Sequence, residues 1–435
     1  MCYRGVKALL QACAGVGALL AATANADAGG FAVREQSSWG QGASFAGVAA
    51  GGSSSAMFWN PATMTQIDGL QSNSVWSGII PYASNSPNVA ASTFGGFGGT
   101  GDTATNALVP AGYYTWQFRP DMWLGLSVTS PFGLSVNFPG TWAGSNYAAG
   151  SSYLKTYNAT PSFAYRINDM ISVGVGVQIQ YAKADLSSCV GAPCGYFGAP
   201  LAELSGHDWG YGFTAGITWT PTPTTTIGIG YRSGINQKID GTLDIRGVAS
   251  FDINTTVNLP DTVSAGLRQR LTPQWTALAT VEWANWSRIG TATVSGAPGS
   301  PILPFQYEDG WFFSLGAEYM WNKQLTLRGG VGYEKSPITD DVRMPLVPDN
   351  DRTWLSVGAT YQWNERISLD FAYSHLFVKS TSINITAASG NPWFATAGVN
   401  YVGDVSSHVD VVSVGFHYRW DELPAPKPSL YTKSK

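Results

Sequence analysis

Ile171-Ser172-Val173-Gly174-Val175-Gly176-Val177-Gln178-Ile179-Gln180-Tyr181-Ala182 alternates without a break: the odd positions are apolar and large, and the even ones are small or polar throughout. Successive side chains of an extended chain point to opposite faces, so this stretch is a strand with one greasy face. The same period returns at Trp311, Phe313, Leu315, Ala317 and Tyr319, at Leu325, Leu327, Val331 and Tyr333, and at Ile367, Leu369, Phe371 and Tyr373. Working outward from these, strands are expected at 70–84, 105–118, 122–133, 153–167, 170–187, 209–220, 225–238, 261–271, 275–290, 309–321, 324–336, 351–363, 366–382 and 406–420, fourteen in all. Six connections are tight turns: Arg119-Pro120-Asp121, Asn168-Asp169, Pro221 to Thr224, Thr272-Pro273-Gln274, Asn322-Lys323 and Asn364-Glu365. Turn-forming residues build them, and the other seven connections are long.

An even number of strands joined alternately by short turns and long loops is the asymmetry of an outer-membrane barrel, short turns periplasmic and long loops outside. Closure also removes the edges that a bilayer, holding no water, could not satisfy. The fold expected is therefore all-β, a 14-stranded antiparallel transmembrane β-barrel spanning 67–420. Composition agrees. Charged residues make up 12% of the 435 positions, about half the share of a soluble globular protein, while 51 Gly, 17 Trp and 20 Tyr exceed it. After residue 26 no apolar run approaches the roughly 18 residues of a membrane helix. The net charge of −4 offers no basic footprint for a phosphate backbone, so nucleic acid is not expected as a partner. A monomer surrounded by outer-membrane lipid is expected.

Arg4 and Lys7, the charge-free stretch Ala8 to Ala22 and small residues at Ala24-Asn25-Ala26 and Ala26-Asp27-Ala28 follow the order of a secretory signal peptide, assigned to 1–28. Leu10-Gln11-Ala12-Cys13 can also be read as a lipoprotein site, although few apolar residues precede it. Cys189 and Cys194 remain in the exported chain, and a small disulfide in an outer loop is expected of them rather than a metal site. No metal or cofactor is expected. Residues 421–435, with three prolines and three lysines, read as a flexible periplasmic tail.

The segment 29–66 is small and Gly/Ser-rich and ends in Met57-Phe58-Trp59-Asn60-Pro61-Ala62. A fourteen-strand barrel leaves a lumen that side chains alone do not fill, so folding this segment inside as a hatch is the economical reading, with a periplasmic extension as the alternative. Parity places Arg232, Arg268, Arg328, Glu282, Glu318 and Asp370 in the lumen, because their neighbours face lipid, where an Arg costs roughly 2–4 kcal/mol. Either these charges pair to fill the barrel, or one or two arginines, Arg232 and Arg328 foremost, meet a ligand carboxylate. In the third strand, Ser130-Pro131-Phe132-Gly133 either kinks the wall and opens a sideways gap or simply ends the strand. Pro161 sits inside an expected strand without explanation. Enzyme motifs are absent: the four His are not at ligand spacings, and Gly96 to Gly101 matches a nucleotide fingerprint only within a Gly-rich loop. A non-enzyme is expected.

Several stretches resemble the FadL/TodX family of outer-membrane transporters for long-chain fatty acids and hydrocarbons. They are Gly29-Gly30-Phe31, Asn60-Pro61-Ala62, Ser130-Pro131-Phe132-Gly133-Leu134, Asp261-Thr262-Val263-Ser264, Glu282-Trp283 with Trp286-Ser287, Pro348-Asp349-Asn350-Asp351-Arg352 with Trp354-Leu355-Ser356, and Tyr373-Ser374-His375-Leu376-Phe377. The resemblance implies a fourteen-stranded barrel with an N-terminal hatch, ligand contact at Phe31, a hatch signature at Asn60, Pro61 and Ala62, and lateral release at the kinked third strand. It also implies first capture between outer loops, at Phe138, Trp142 and Tyr147 and at Tyr196 and Phe197. Passive passage of fatty acids is the expected function, with aromatic hydrocarbon uptake or a polar porin as rivals.

Overall fold

The computed structural model describes residues 30–421; the expected leader, Cys13 and the tail beyond Asp421 lie outside the described residues. The strands are β1 (Leu70–Pro87), β2 (Ala107–Arg119), β3 (Met122–Thr129), β4 (Gly133–Phe138), β5 (Gly150–Arg166), β6 (Ile171–Cys189), β7 (Leu201–Thr222), β8 (Thr225–Arg232), β9 (Asn236–Ile245), β10 (Ala249–Asn258), β11 (Thr262–Arg270), β12 (Trp275–Ala284), β13 (Thr291–Thr293), β14 (Ile302–Pro304), β15 (Gly310–Met320), β16 (Leu325–Lys335), β17 (Arg352–Gln362), β18 (Ile367–Val378), β19 (Thr381–Ile385) and β20 (Tyr401–Arg419). Fourteen wall positions close antiparallel in the order β1, β2, β3 with β4, β5, β6, β7, β8, β11, β12, β15, β16, β17, β18, β20 and back to β1. No helix among the described residues is long and apolar enough to cross a membrane.

Alternation decides which face meets lipid. Trp311, Phe313 and Leu315 are exposed while Phe312 and Ser314 between them are buried. At the short-turn end Trp219, Trp275, Trp321, Trp363 and Trp420 are exposed, the aromatic girdle of a membrane interface. Inside, residues 30–66 are buried almost throughout and fold as single turns at Ser38–Gln41, Val48–Ala50, Ser54–Phe58 and Pro61–Gln66. The wall's lumenal glycines make room for them. A Cβ at Gly228 would overlap the Ala49 carbonyl, and one at Gly230 the Trp59 carbonyl, so the hatch backbone lies directly on the wall backbone.

Four strand expectations change. The third strand is not continuous over 122–133: it breaks after Thr129 and resumes at Gly133, because Pro131 has no donor for the ladder. The seventh, expected over 225–238, turns away at 233–235, and β9 pairs outside the wall with β10 and upper β7. The ninth, expected to 290, ends at Ala284 and gives way to a turn at Trp286–Ile289. The thirteenth, expected to 382, ends at Val378, and β19 pairs separately with the upper part of β20. Pro161 is accommodated by interruption: the β5–β6 pairing lapses between Ala159 and Ser162 and resumes in the same register, while Pro161 points outward.

Candidate functional site

The break in the wall is the starting point. The β2–β3 ladder runs only as far as Gly112 and Val128, leaving Ala107 to Ala111 of β2 without a strand partner on that side. On the other side β5 holds on, with Thr156 N donating to Phe132 O at 3.2 Å and Phe132 N to Thr156 Oγ1 at 2.9 Å. From the lumen, the hatch supplies what β2 does not. Val33 N donates to Pro131 O at 2.8 Å, Gly133 N to Phe31 O at 2.9 Å, and Ala32 bridges Phe132. The Gln36 amide completes the set, donating from Nε2 to Ser130 O at 2.8 Å and accepting from Ser130 N at 3.2 Å. Residues 31–36 thus act as a short surrogate strand across the gap.

Beside it lies a partly open cavity lined by Phe58, Trp59, Phe132, Trp286, Trp311 and Phe312 among others. Phe31 stands behind this lining, edge-on to Trp286 at 4.8 Å and to Phe132 at 6.3 Å. Three cations line the cavity: Lys335, held 3.6 Å from Glu308, and Arg34 and Arg232, which are in opposite circumstances. Arg34 of the hatch is neutralised, at 2.8 Å from Glu282 and 3.5 Å from Glu334, and its guanidinium stacks 3.8 Å over Phe312. Arg232 is stacked 4.6 Å over Phe58, its Nη2 has no hydrogen-bond partner, and no acidic side chain pairs with it among the described residues. Arg328 lies elsewhere: its Nε meets Glu318 at 2.8 Å, its Nη1 meets Thr360 at 2.6 Å, and Trp39 of the hatch covers it. Arg268 shares Glu318 at 2.6 Å. Charge filling thus describes Arg268 and Arg328, and an open cation describes Arg232.

The Asn60-Pro61-Ala62 turn is the hatch's lower anchor. Asn60 Nδ2 donates to Ala49 O at 2.7 Å and to Ile217 O of the wall at 2.9 Å, while its Oδ1 accepts from Ala62 N and caps the turn that Pro61 begins. Of the outer-loop residues, Phe138 and Trp142 are buried and stacked on each other at 5.4 Å, with Trp142 against Tyr401 at 5.3 Å. Phe138 also lines a second, smaller cavity. Phe197 is 90% exposed just beyond the Cys189–Cys194 disulfide, on a loop that touches the one after Phe138, with Cys194 N donating to Gly140 O at 3.1 Å. Sequence reasoning missed Arg34 and Gln36, and it quoted Trp286 only within a family-like stretch without giving it a role. Arg34 and Glu35 are the only charges in 29–66, which was a usable signal; nothing local marks Gln36.

The family model described as outer membrane protein transport protein (OMPP1/FadL/TodX) matches residues 19–420. The long-chain fatty acid transport protein of Escherichia coli K12 is 25% identical over 86% of this chain and 94% of its own length. Outer membrane protein P1 of Haemophilus influenzae is 25% identical over 92% and 97%. Among solved structures, a Pseudomonas aeruginosa FadL homologue superimposes with a TM-score of 0.81 at 23% identity, covering 90% of this chain and all of that one. A Pseudomonas putida toluene transporter, TodX, gives 0.68 at 16% identity, with 90% of this chain covered. The fourteen-strand barrel, its buried hatch and a match running almost from end to end lead to one statement: this chain belongs to the OMPP1/FadL/TodX family of outer-membrane transport proteins.

Proposed function

We propose that this outer-membrane barrel passes long-chain fatty acids inward, holding the tail against Trp286 and Phe132 and the carboxylate at Arg232, and releasing the ligand sideways at Ser130–Phe132. The observation that carries this reading is Arg232. A partly buried guanidinium with one nitrogen enclosed and unpartnered, and with no counter-ion, is costly, and an aromatic cavity ending at such a group suits a ligand that is apolar along its length and anionic at one end. The gap supports lateral release, because an apolar tail gains more by entering bilayer than by entering water. Arg34 contributes no comparable pull, since Glu282 and Glu334 already hold it. The aromatic lining favours a second reading, uptake of neutral aromatic hydrocarbons, for which Arg232 is idle.

Calorimetric titration of the purified chain with oleate and with toluene separates the two. In Arg232→Ala, oleate affinity is expected to fall about ten- to a hundredfold, the span of a charge-assisted hydrogen bond of roughly 1.5–3 kcal/mol, with toluene unchanged. Unchanged oleate binding would move the protein to the hydrocarbon reading, and binding of neither ligand would favour a polar porin.

A further inference from the structure

The gap has an outer rim as well as a hatch side. A small pocket at the break is lined by Val33, Val109, Ser130 and Phe132 on one side and by Lys155, Thr156 and Tyr157 of β5 on the other. Thr156 and Asn158 are buried, so the intervening Lys155 and Tyr157 point outward. Their height on the wall follows from register. Tyr157 aligns with Tyr181 on β6 and Tyr181 with Trp209 on β7, while one step closer to the outer loops Lys155 aligns with Lys183 and Lys183 with His207. Tyr157 is nine positions from Arg166 at the turn end of β5, roughly 22 Å of tilted strand, close to the about 25 Å apolar band of such barrels. The aromatic row therefore marks the lipid–water interface, and the basic row lies on its water side.

Wall cohesion does not explain Lys155. Like charges directly opposite each other on neighbouring strands destabilise a sheet, and Lys155 faces Lys183. Lys183 leans on Asp185 at 3.6 Å, whereas Lys155 has no carboxylate partner among the described residues and only the Tyr153 ring, 4.7 Å from its Nζ. The uncompensated ammonium is the one at the gap. An amphiphile leaving through the gap must set its tail in hydrocarbon and its head at the interface, and among the residues lining the gap Lys155 alone carries a charge to meet an anionic head.

Building on the transport reading above, we propose that Lys155 is a hand-over residue, which binds the carboxylate of the departing ligand at the outer rim while the tail moves through the gap into the bilayer. The full chain in phosphatidylcholine vesicles tests it, with transfer rates measured for oleate and for methyl oleate. Lys155→Gln is expected to slow oleate transfer about fivefold, the worth of one cation at a membrane surface, Lys155→Glu more so, and Lys155→Arg to restore it. Methyl oleate transfer and calorimetric oleate affinity should stay unchanged in all three. Unchanged oleate transfer in Lys155→Glu overturns the proposal, as does equal slowing of methyl oleate. An equal loss in Lys183→Gln also overturns it, by assigning the effect to the field of the whole basic row. Failure of the unsubstituted chain to bind oleate brings down the transport reading and this one with it.

Discussion

The seam between β1 and β20 and the seam between β2 and β3–β4 belong to one wall, yet the hatch meets them in different ways. From Gln71 to Pro87 every residue of β1 is paired with β20, so the wall's own ladder uses its backbone groups. The hatch meets that seam through bonds that involve side chains: Ser77 Oγ donates to Glu35 O at 3.0 Å, Ser413 Oγ donates to Gln41 Oε1, and Gln41 Nε2 donates to Val411 O at 3.0 Å. At the β2 seam the ladder stops, and the hatch's backbone and the Gln36 amide take the place of a strand. The comparison teaches that the same 30–66 segment is a plug against one side of the lumen and a piece of wall on the other. Loosening it at the first side should leave the barrel shut, and loosening it at the second should open it.

Gly230→Val breaks the arrangement altogether. Its side chain would occupy the space of the Trp59 carbonyl, and overpacking of this kind is expected to cost about 3 kcal/mol or more and to displace the hatch from both seams. Amide exchange across 30–66 should rise steeply and ion conductance should increase, while heat-dependent electrophoretic mobility still reports a closed barrel; a protected hatch in this variant would contradict the close approach. Gln36→Ala sharpens the contrast at the broken seam alone. With Ser130 N and O left unpaired, exchange at 130–133 should accelerate about thirtyfold, the equivalent of roughly 2 kcal/mol, with β1 and β20 unaffected. Ser77→Ala at the continuous seam should be the mildest, about 1 kcal/mol or less, detectable as a few-fold change in hatch exchange and none at Ser130. Equal opening of the gap by Ser77→Ala and Gln36→Ala would erase the distinction between the seams.

Much of the wall was legible in the sequence because lipid imposes a strict period of two on the outer face, and the parity of Glu282, Glu318 and Asp370 followed from it. The β9–β10 hairpin was not legible. Its Gln237, Ile239 and Ile253 are buried, in positions above the wall where lipid does not set the alternation, and Asp240, Asp244 and Asp252 interrupt the apolar pattern. The gap at Pro131 was visible as one of two readings, since a proline marks a missing donor without saying what replaces it. That Gln36, ninety-four positions from Ser130, supplies the substitute is a tertiary fact. Arg232 and Arg328 looked alike by parity; the difference lies in Glu318, which sits directly across the ladder from Arg328 and has no counterpart at Arg232.

Arg34 is the cation through which the hatch sits between Glu282 and Glu334. Any excursion of the N-terminal segment separates that cation from two carboxylates fixed to the wall, and the work of separation is stored as electrostatic energy in a low-dielectric lumen. In the transport cycle proposed above, the pair would act as a return spring whose stiffness is set by the medium, slackened by water or salt entering with the ligand and tightened as they leave. Reclosure in that cycle would need no external energy source, only the restoration of this contact.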